Sequence, residues 1–460
     1  MLKRYIGNRA FYRNVFTIAI PIIIQNGITN FVSLLDNIMV GQVGTIPMSG
    51  VSIVNGLLFV FNLCIFGASS GAGIFTAQYY GSHNEDGIRY TFRFKIFVCL
   101  VISALGSLIF TMADKLLIGL YLTGEGDALA AAGAMEYGRK YLKIMLWGFL
   151  PFALSNAYSS TLRETGETFV PMVAGIAAVF VNLFLNYVLI FGHFGAPAMG
   201  VEGAALATTI SRFVELAIVA AWTHRNTEQN AFITGAYRSI YIPGTLLKEI
   251  TIKGMPLLIN ECLWASGMAV LNQCYSTCGL DVVPATNISS TLYNVGSVVF
   301  LAMGSAVGII MGQMLGAGRS REEILDHNRK LLFTATVCGG AFGILMAAAA
   351  VPFPKIYNTT QSVQQLAAML IVLNSIILPF NSYTNAVYFT LRSGGQTMVT
   401  FLFDSCFVWG FCVPLAYVLT RFAGIGIIPL FAICQATDLI KCALGSIMIK
   451  QGKWIQNLTK

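Results

Sequence analysis

Twelve apolar runs, each roughly 20 residues or more, follow one another along the chain, separated by short segments that hold most charges and turn residues. At 1.5 Å per residue, a helix of that length crosses a bilayer core of about 30 Å. The runs lie at about 14–40, 50–79, 90–112, 137–160, 167–191, 200–222, 250–275, 284–314, 328–350, 364–390, 397–419 and 424–448. Backbone groups facing lipid must be satisfied within their own segment, so each run is expected to be a helix. With 56% apolar and 10% charged residues among 460, and a mean hydropathy of +0.71, the chain has too much apolar surface for one water-soluble core. The fold class is an all-α polytopic membrane protein. Lys3, Arg4, Arg9 and Arg13 precede the first run, which is too long for a signal-peptide core and shows no small-residue cleavage site, so it is expected to stay in the mature protein.

Basic flanks tend to remain cytoplasmic and so set the orientation. With both termini inside, the cytoplasmic ends and loops carry 20 of the 28 basic residues. The outer loops carry six (Lys115, Arg139, Lys140, Lys143, Lys355 and Arg421), and Arg212 and Lys441 lie within runs. The expected location is the cell, or inner, membrane, multi-pass, with both termini cytoplasmic. The formal charge of +8 is then a topology signal, and no nucleic-acid partner is implied. Nearly all of the ten cysteines lie within apolar runs and lack the C-x2-C spacing of zinc sites, so they read as small packing residues. Cys274 and Cys278 are the one pair spaced for a bridge. The four histidines, His83, His193, His224 and His327, are expected in loops, and neither a metal site nor a bound cofactor is expected.

The chain repeats itself. A shift of 235 superposes residues 20–37 on 255–272, so that Pro21 meets Pro256, Asn26 meets Glu261 and Asn37 meets Asn272. The same shift brings Gly73 to Gly308, Gln78 to Gln313 and Gly81 to Gly316; later in each half TLRETGETF (161–169) meets TLRSGGQTM (390–398). Twelve transmembrane helices in two pseudo-symmetric six-helix bundles are implied: an amino-terminal bundle over 1–222, a cytoplasmic linker over 223–249 and a carboxyl-terminal bundle over 250–460. Parallel repeats of this kind are a transporter design, in which a site between or within the halves alternates its access. The loop after the second run, QYYGSHNEDGIR, is a poor match to the Asp-Arg-rich loop of the major facilitator fold.

These motifs resemble the multidrug and toxic compound extrusion (MATE) family over essentially the whole chain. The resemblance is carried by Pro21 with DNIMVG (36–41), Gln78-x2-Gly81 and its repeat Gln313-x2-Gly316, LRETGET (162–168) with LRSGGQT (391–397), and NLFLNYVLIFG (182–192) followed by GVEGAALAT (200–208). Each motif is weak alone, but together, in order and in both halves, they are specific. The resemblance implies two six-helix bundles facing a central cleft, and export of organic, often cationic and aromatic compounds driven by inward flow of H⁺ or Na⁺. It does not fix the ion or the substrate.

Ionisable residues within spans are costly and are functional candidates by default. At 100° per residue, Gln25, Thr29, Ser33 and Asp36 share an arc of about 80° on the first helix, with Asn26 about 20° beyond it. Such a stripe lines either water or an interhelical hydrogen-bond seam. Asn182 and Asn186 share a face of the fifth helix, with Asn186 at the depth of Asp36. The resemblance places both asparagines beside Asp36 in a cation site, with Thr208 or Thr209 as weaker candidates. In some members the Asn186 position is an acid. A lone carboxylate among amides can exchange a proton near neutral pH, and amide oxygens can equally complete a shell for Na⁺.

In the second half, Glu261 and Asp404 lie within roughly 6 Å of each other in depth. The resemblance marks Glu261 as a cation ligand, whereas an aspartate used by sodium-coupled relatives appears here as Asn381. Asp404 is a candidate to replace that lost charge. Arg212 with Glu215 and Asp438 with Lys441 are opposite charges at i, i+3 in corresponding places of the two halves, and read as self-neutralising structural pairs. Trp264 and Tyr293 are the aromatic picks for a substrate cleft, together with Gln25, Asn26, Thr29 and Ser33.

The main reading is a cation-coupled antiporter that exports drugs or metabolites as a monomer in the lipid bilayer and is not an enzyme. A flippase for lipid-linked oligosaccharides shares the superfamily shape but is expected to have a more cationic cleft. An intramembrane enzyme or scaffold is the reading from a different class. An enzyme needs a convergent nucleophile or a His and acid cluster, and no run contains a histidine.

Overall fold

The computed structural model describes residues 4–122 and 128–459, and Lys3 of the amino-terminal flank lies outside them. The described residues form helices α1 (Arg9–Gly41), α2 (Thr45–Gly81), α3 (Glu85–Met112), α4 (Asp114–Leu122), α5 (Ala128–Met145), α6 (Phe149–Glu164), α7 (Phe169–Phe191) and α8 (Val201–Arg225). These continue as α9 (Gly244–Ser276), α10 (Val282–Gly316), α11 (Arg321–Ala349), α12 (Gln361–Ser393), α13 (Thr397–Phe401), α14 (Val413–Arg421) and α15 (Ile427–Gln451). Eleven rods among the described residues are long and apolar enough to cross a membrane. The expected fourth span is interrupted, with a 3-10 turn at Leu146–Gly148 joining α5 to α6. Pro151 explains the break, because it has no N–H for the carbonyl four residues back. The eleventh span holds two π-helical stretches, Leu402–Cys406 and Val408–Cys412, just ahead of Pro414 in the first turn of α14. His224 and His327 lie within the ends of α8 and α11, where loops were expected. All ten cysteines are free, Cys274 and Cys278 included.

By contact the chain sorts into two units. The amino unit holds Ile24–Thr76 and Glu85–Thr251. The carboxyl unit holds the amino-terminal segment through Ile23, Ala77–Asn84, and the chain from Ile252 onward. These units differ from the repeat boundaries for local reasons. The first turns of α1 bury Phe11, Val15, Ile18, Ala19 and Ile22 in a core shared with α10, α11 and α12. The tip of α2 is held by Gln78, whose Nε2 donates to the Ser393 carbonyl at 2.8 Å and whose Oε1 accepts from Leu458 N at 2.7 Å. The boundary in α1 falls two residues after Pro21, within the helix.

The segment between the repeats packs onto α3. Phe232, Ile233 and Ala236 are buried, and two arginines one turn apart hold its carbonyls. Arg89 Nε donates to Phe232 O at 3.2 Å, while Arg93 donates to Ala236 O at 2.8 Å, Gly235 O at 2.9 Å and Tyr241 O at 3.0 Å.

Lipid tails are as apolar as leucine, so close van der Waals contact and interhelical hydrogen bonds must supply much of the helix association. Gly339 and Gly343 on α11 let α12 approach until a Cβ at Gly339 would lie 2.6 Å from Ser382 Cβ, and one at Gly343 would lie 2.6 Å from Ser375 O. At that distance Ser382 Oγ donates to the Ala335 carbonyl at 2.6 Å. The repeated loop ends meet reciprocally: a side chain on Gly81 would overlap Gln313 O, and one on Gly316 would overlap Gln78 O. Gly316→Ala therefore forces the α2 and α10 ends apart. It should cost about 1–3 kcal/mol of the kind seen on overpacking, read as a lowered Tm in detergent. Gly426→Ala, which meets nothing within 4 Å, should leave Tm unchanged.

Candidate functional site

In each unit, acids named from the sequence come together with polar partners within the apolar rods. In the amino unit, Asp36 comes from α1, Asn182 and Asn186 from one face of α7, and Thr208 from α8. Asn186 Nδ2 donates to Asp36 Oδ1 at 2.7 Å. The Asn182 amide is oriented with its nitrogen toward the carboxylate, 3.0 Å from both Asp36 oxygens, because the reverse would set oxygen against oxygen. Its oxygen then accepts from Thr208 Oγ1 at 3.1 Å and Thr208 N at 3.3 Å. Both asparagines are buried, and Asn186 Oδ1 is buried without a hydrogen-bond partner. An anionic carboxylate gripped by two amides, next to an uncommitted amide oxygen, is a set that a cation can enter.

The polar stripe of α1 divides. Gln25 is buried and accepts from Arg163 Nη2 at 2.9 Å, whereas Thr29 and Ser33 are exposed and Asn26 is half-buried. The stripe is thus a hydrogen-bonded seam at its two ends, Gln25 and Asp36, with the exposed Thr29 and Ser33 between them. Arg163 Nε is buried with no partner, so the guanidinium keeps a donor unused.

One buried ion pair was not anticipated. Lys95, counted with the basic flank, lies fully buried on α3. Its Nζ reaches Glu164 Oε2 on α6 and donates to Ser160 Oγ at 3.1 Å and Thr161 Oγ1 at 3.2 Å. Helix α3 starts at Glu85, so Lys95 sits nearly three turns inside it.

In the carboxyl unit, Glu261 on α9 is half-buried and has Arg392 and Asp404 as its charged neighbours. Asp404 sits in the first π stretch. Its Oδ2 accepts from Asn260 Nδ2 at 3.1 Å, and its Oδ1 is 3.4 Å from Lys441 Nζ on α15. Ser405 fixes Asn260 in turn, its Oγ donating to Asn260 Oδ1 at 2.7 Å. The Asp438–Lys441 pair read from local spacing is present, at 3.9 Å, but it is not self-contained: Lys441 stands between two acids and is nearer the remote Asp404. Arg212 does pair with Glu215, at 3.3 Å.

Asn381 on α12 donates to Tyr293 OH at 2.9 Å, so these two candidates are brought together. Trp264 is 39% exposed on α9. The buried Asn260 and the half-buried Tyr388, which has Arg392, Glu261 and Asp404 as charged neighbours, were missed by sequence reasoning. The available signals were modest: Asn260 adjoins Glu261, and Tyr388 lies one turn before Arg392 on α12.

A family model described as MatE matches residues 21–188 and 256–418, one stretch in each repeat. The chain is 23% identical over 450 residues to the probable multidrug resistance protein NorM of Thermotoga maritima, covering 96% of this chain and 93% of that protein. It is 25% identical over 424 residues to the probable multidrug resistance protein YoeA of Bacillus subtilis, covering 91% and 89%. In fold it is similar to a mutant of the Vibrio cholerae MATE transporter VcmN, with a TM-score of 0.84 at 18% identity over 97% of this chain and 98% of the other. An outward-facing multidrug resistance MATE family transporter gives a TM-score of 0.83, also at 18% identity, over 98% of each chain.

The Lys95–Glu164 pair yields a direct measurement. Glu164→Gln leaves a buried ammonium without its counter-charge, a change that costs about 3–5 kcal/mol in buried pairs. The double variant Lys95→Met with Glu164→Gln should recover part of that loss in thermal unfolding. Additive losses in the two single variants would show that the pair does not couple.

Proposed function

The chain belongs to the MATE transporter family, and we propose that this member is a cation-coupled antiporter exporting organic, often cationic drugs or metabolites by alternating access. Inward flow of H⁺ or Na⁺ drives the cycle. It works as a monomer in the cell membrane with both termini cytoplasmic, and its repeats, 1–222 and 250–460 with 223–249 between them, supply one polar cluster each. The observation that carries the reading is the Asp36 carboxylate held by two amide nitrogens from α7.

That geometry makes the acid a switch. While ionised, Asp36 accepts from both asparagines and ties α1 to α7. A proton on it removes acceptor capacity, and Na⁺ requires the amides to turn their oxygens inward; either event loosens the same tie. A cation loaded from outside and a substrate loaded from inside then compete through one conformational equilibrium, which is the thermodynamic content of coupling. Glu261 and Asp404 supply the corresponding negative charge in the carboxyl unit, where Asn381 serves through its hydrogen bond to Tyr293. The exposed Thr29 and Ser33 supply substrate contacts in the amino unit, and the exposed Trp264 does so in the carboxyl unit.

The test is ethidium export from proteoliposomes with the Na⁺ gradient and the pH gradient imposed separately. Collapse of one gradient alone should stop transport and thereby name the ion. Asp36→Asn and Glu261→Gln should each lower the initial rate at least tenfold, and undiminished export in both would sink the proposal.

A further inference from the structure

Lys441 does not occupy an ordinary ion pair. Its Nζ lies 3.4 Å from Asp404 Oδ1, 3.9 Å from Asp438 Oδ1 and 5.3 Å from the centroid of the Phe407 ring, over its face. Two carboxylates and an aromatic face are the groups by which proteins hold a free organic ammonium. The cage sets two carboxyl groups against one ammonium, and Glu261, itself beside Arg392, is a further acidic neighbour of Asp404. Both carboxylate distances exceed those of a tight charge-assisted hydrogen bond, about 2.7–2.9 Å. Lys441 is therefore shared between the acids without being locked to either.

The Asp404 side of the cage is held by groups other than the lysine, whereas Asp438 meets Lys441 from its own helix, one turn away. Asn260 and Ser405 fix Asp404, and the π stretch carries both Asp404 and the turn leading to Phe407. Lys441 reaches in from α15 on a flexible four-carbon stem. The side chains of Asp404 and Asp438 are 24% and 22% exposed, so the cage is not sealed. The amino unit offers a contrast. Arg212 lies over Phe152 at 4.8 Å and has one acid within ion-pair distance, Glu215 at 3.3 Å.

We propose that Asp404, Asp438 and the face of Phe407 form an ammonium subsite that Lys441 fills in the resting protein and that the ammonium group of a substrate enters when Lys441 swings out. This rests on the export reading and narrows its substrate class to compounds bearing a protonated primary or secondary amine. Lys441 acts as a tethered competitor that keeps the cage from standing empty and charged within the membrane.

The test is equilibrium binding to purified protein, so failure of transport coupling cannot be mistaken for failure of the subsite. Dansylcadaverine, a primary ammonium, should bind Lys441→Met at least fivefold more tightly than the unaltered protein, and its N-acetylated neutral form should show no gain. Phe407→Leu added to Lys441→Met should reverse the gain, and Lys441→Arg should stay near the starting affinity. Equal or weaker binding to a folded Lys441→Met, or an equal gain for the acetylated probe, overturns the proposal. Should Lys441→Met fold poorly, n-butylammonium chloride should raise the Tm of Lys441→Ala above that in equal NaCl. Identical Tm values in the two salts overturn it as well.

Discussion

A charge inside a membrane-spanning helix must find a partner or water, and this constraint organises the protein's polar interior. Lys95 ties α3 to α6 through Glu164, Arg163 ties α6 to α1 through Gln25, and Asp36 ties α1 to α7 through two amides. Asp404 ties the eleventh span to α9 through Asn260 and to α15 through Lys441. Apolar packing gives these helices little preference for one another over lipid, so the polar ties and the close glycine contacts carry much of the specificity. A tie made of a titratable or ion-binding group is also reversible, which is what a transporter needs of it.

The two clusters solve the same electrostatic problem by different contacts. In the amino unit the acid is hydrogen-bonded by neutral amides, with Arg212 as a cationic neighbour and no cation within ion-pair distance among the described residues. In the carboxyl unit the acids are met by tethered cations, Lys441 and the neighbouring Arg392, so an arriving cation must displace or bypass one already present. On the proposed reading, the amino cluster is the simpler place for a small inorganic ion or a proton, and the carboxyl cluster the place for a larger cation that adds aromatic contact to charge.

Much of this architecture was legible in the sequence, and the gaps have physical causes. Run length and the 235-residue shift gave the spans and the duplication, because both follow from bilayer thickness and need no tertiary information. Asp36 and Asn186 could be matched because helical rise converts sequence position into depth. Lys95 was misread because the start of α3 was set too late, and a charge near a helix end looks like a flank. The Asp438–Lys441 pair was legible from the i, i+3 rule, but that rule sees only its own helix, and the nearer acid, Asp404, comes from another. The break at Leu146–Gly148 is invisible to hydropathy, since proline and glycine sit comfortably in an apolar run.

The repeat shows where duplication was kept and where it was spent. Gly81 and Gly316 each lie against the glutamine of the other's motif, a reciprocal contact in which equivalent residues meet and neither can enlarge alone. Such a contact holds the frame of the duplicated loops constant, in the way an isologous interface constrains both of its faces. The acids obey no such constraint: the counterpart of Asp36 is Leu271, and that of Glu261 is Asn26. A frame fixed by backbone contact left the polar positions free to diverge, because a side chain can change without moving the helix that presents it. One unit thus carries an amide-held carboxylate at Asp36, while the other carries two acids, Asp404 and Asp438, with a lysine between them.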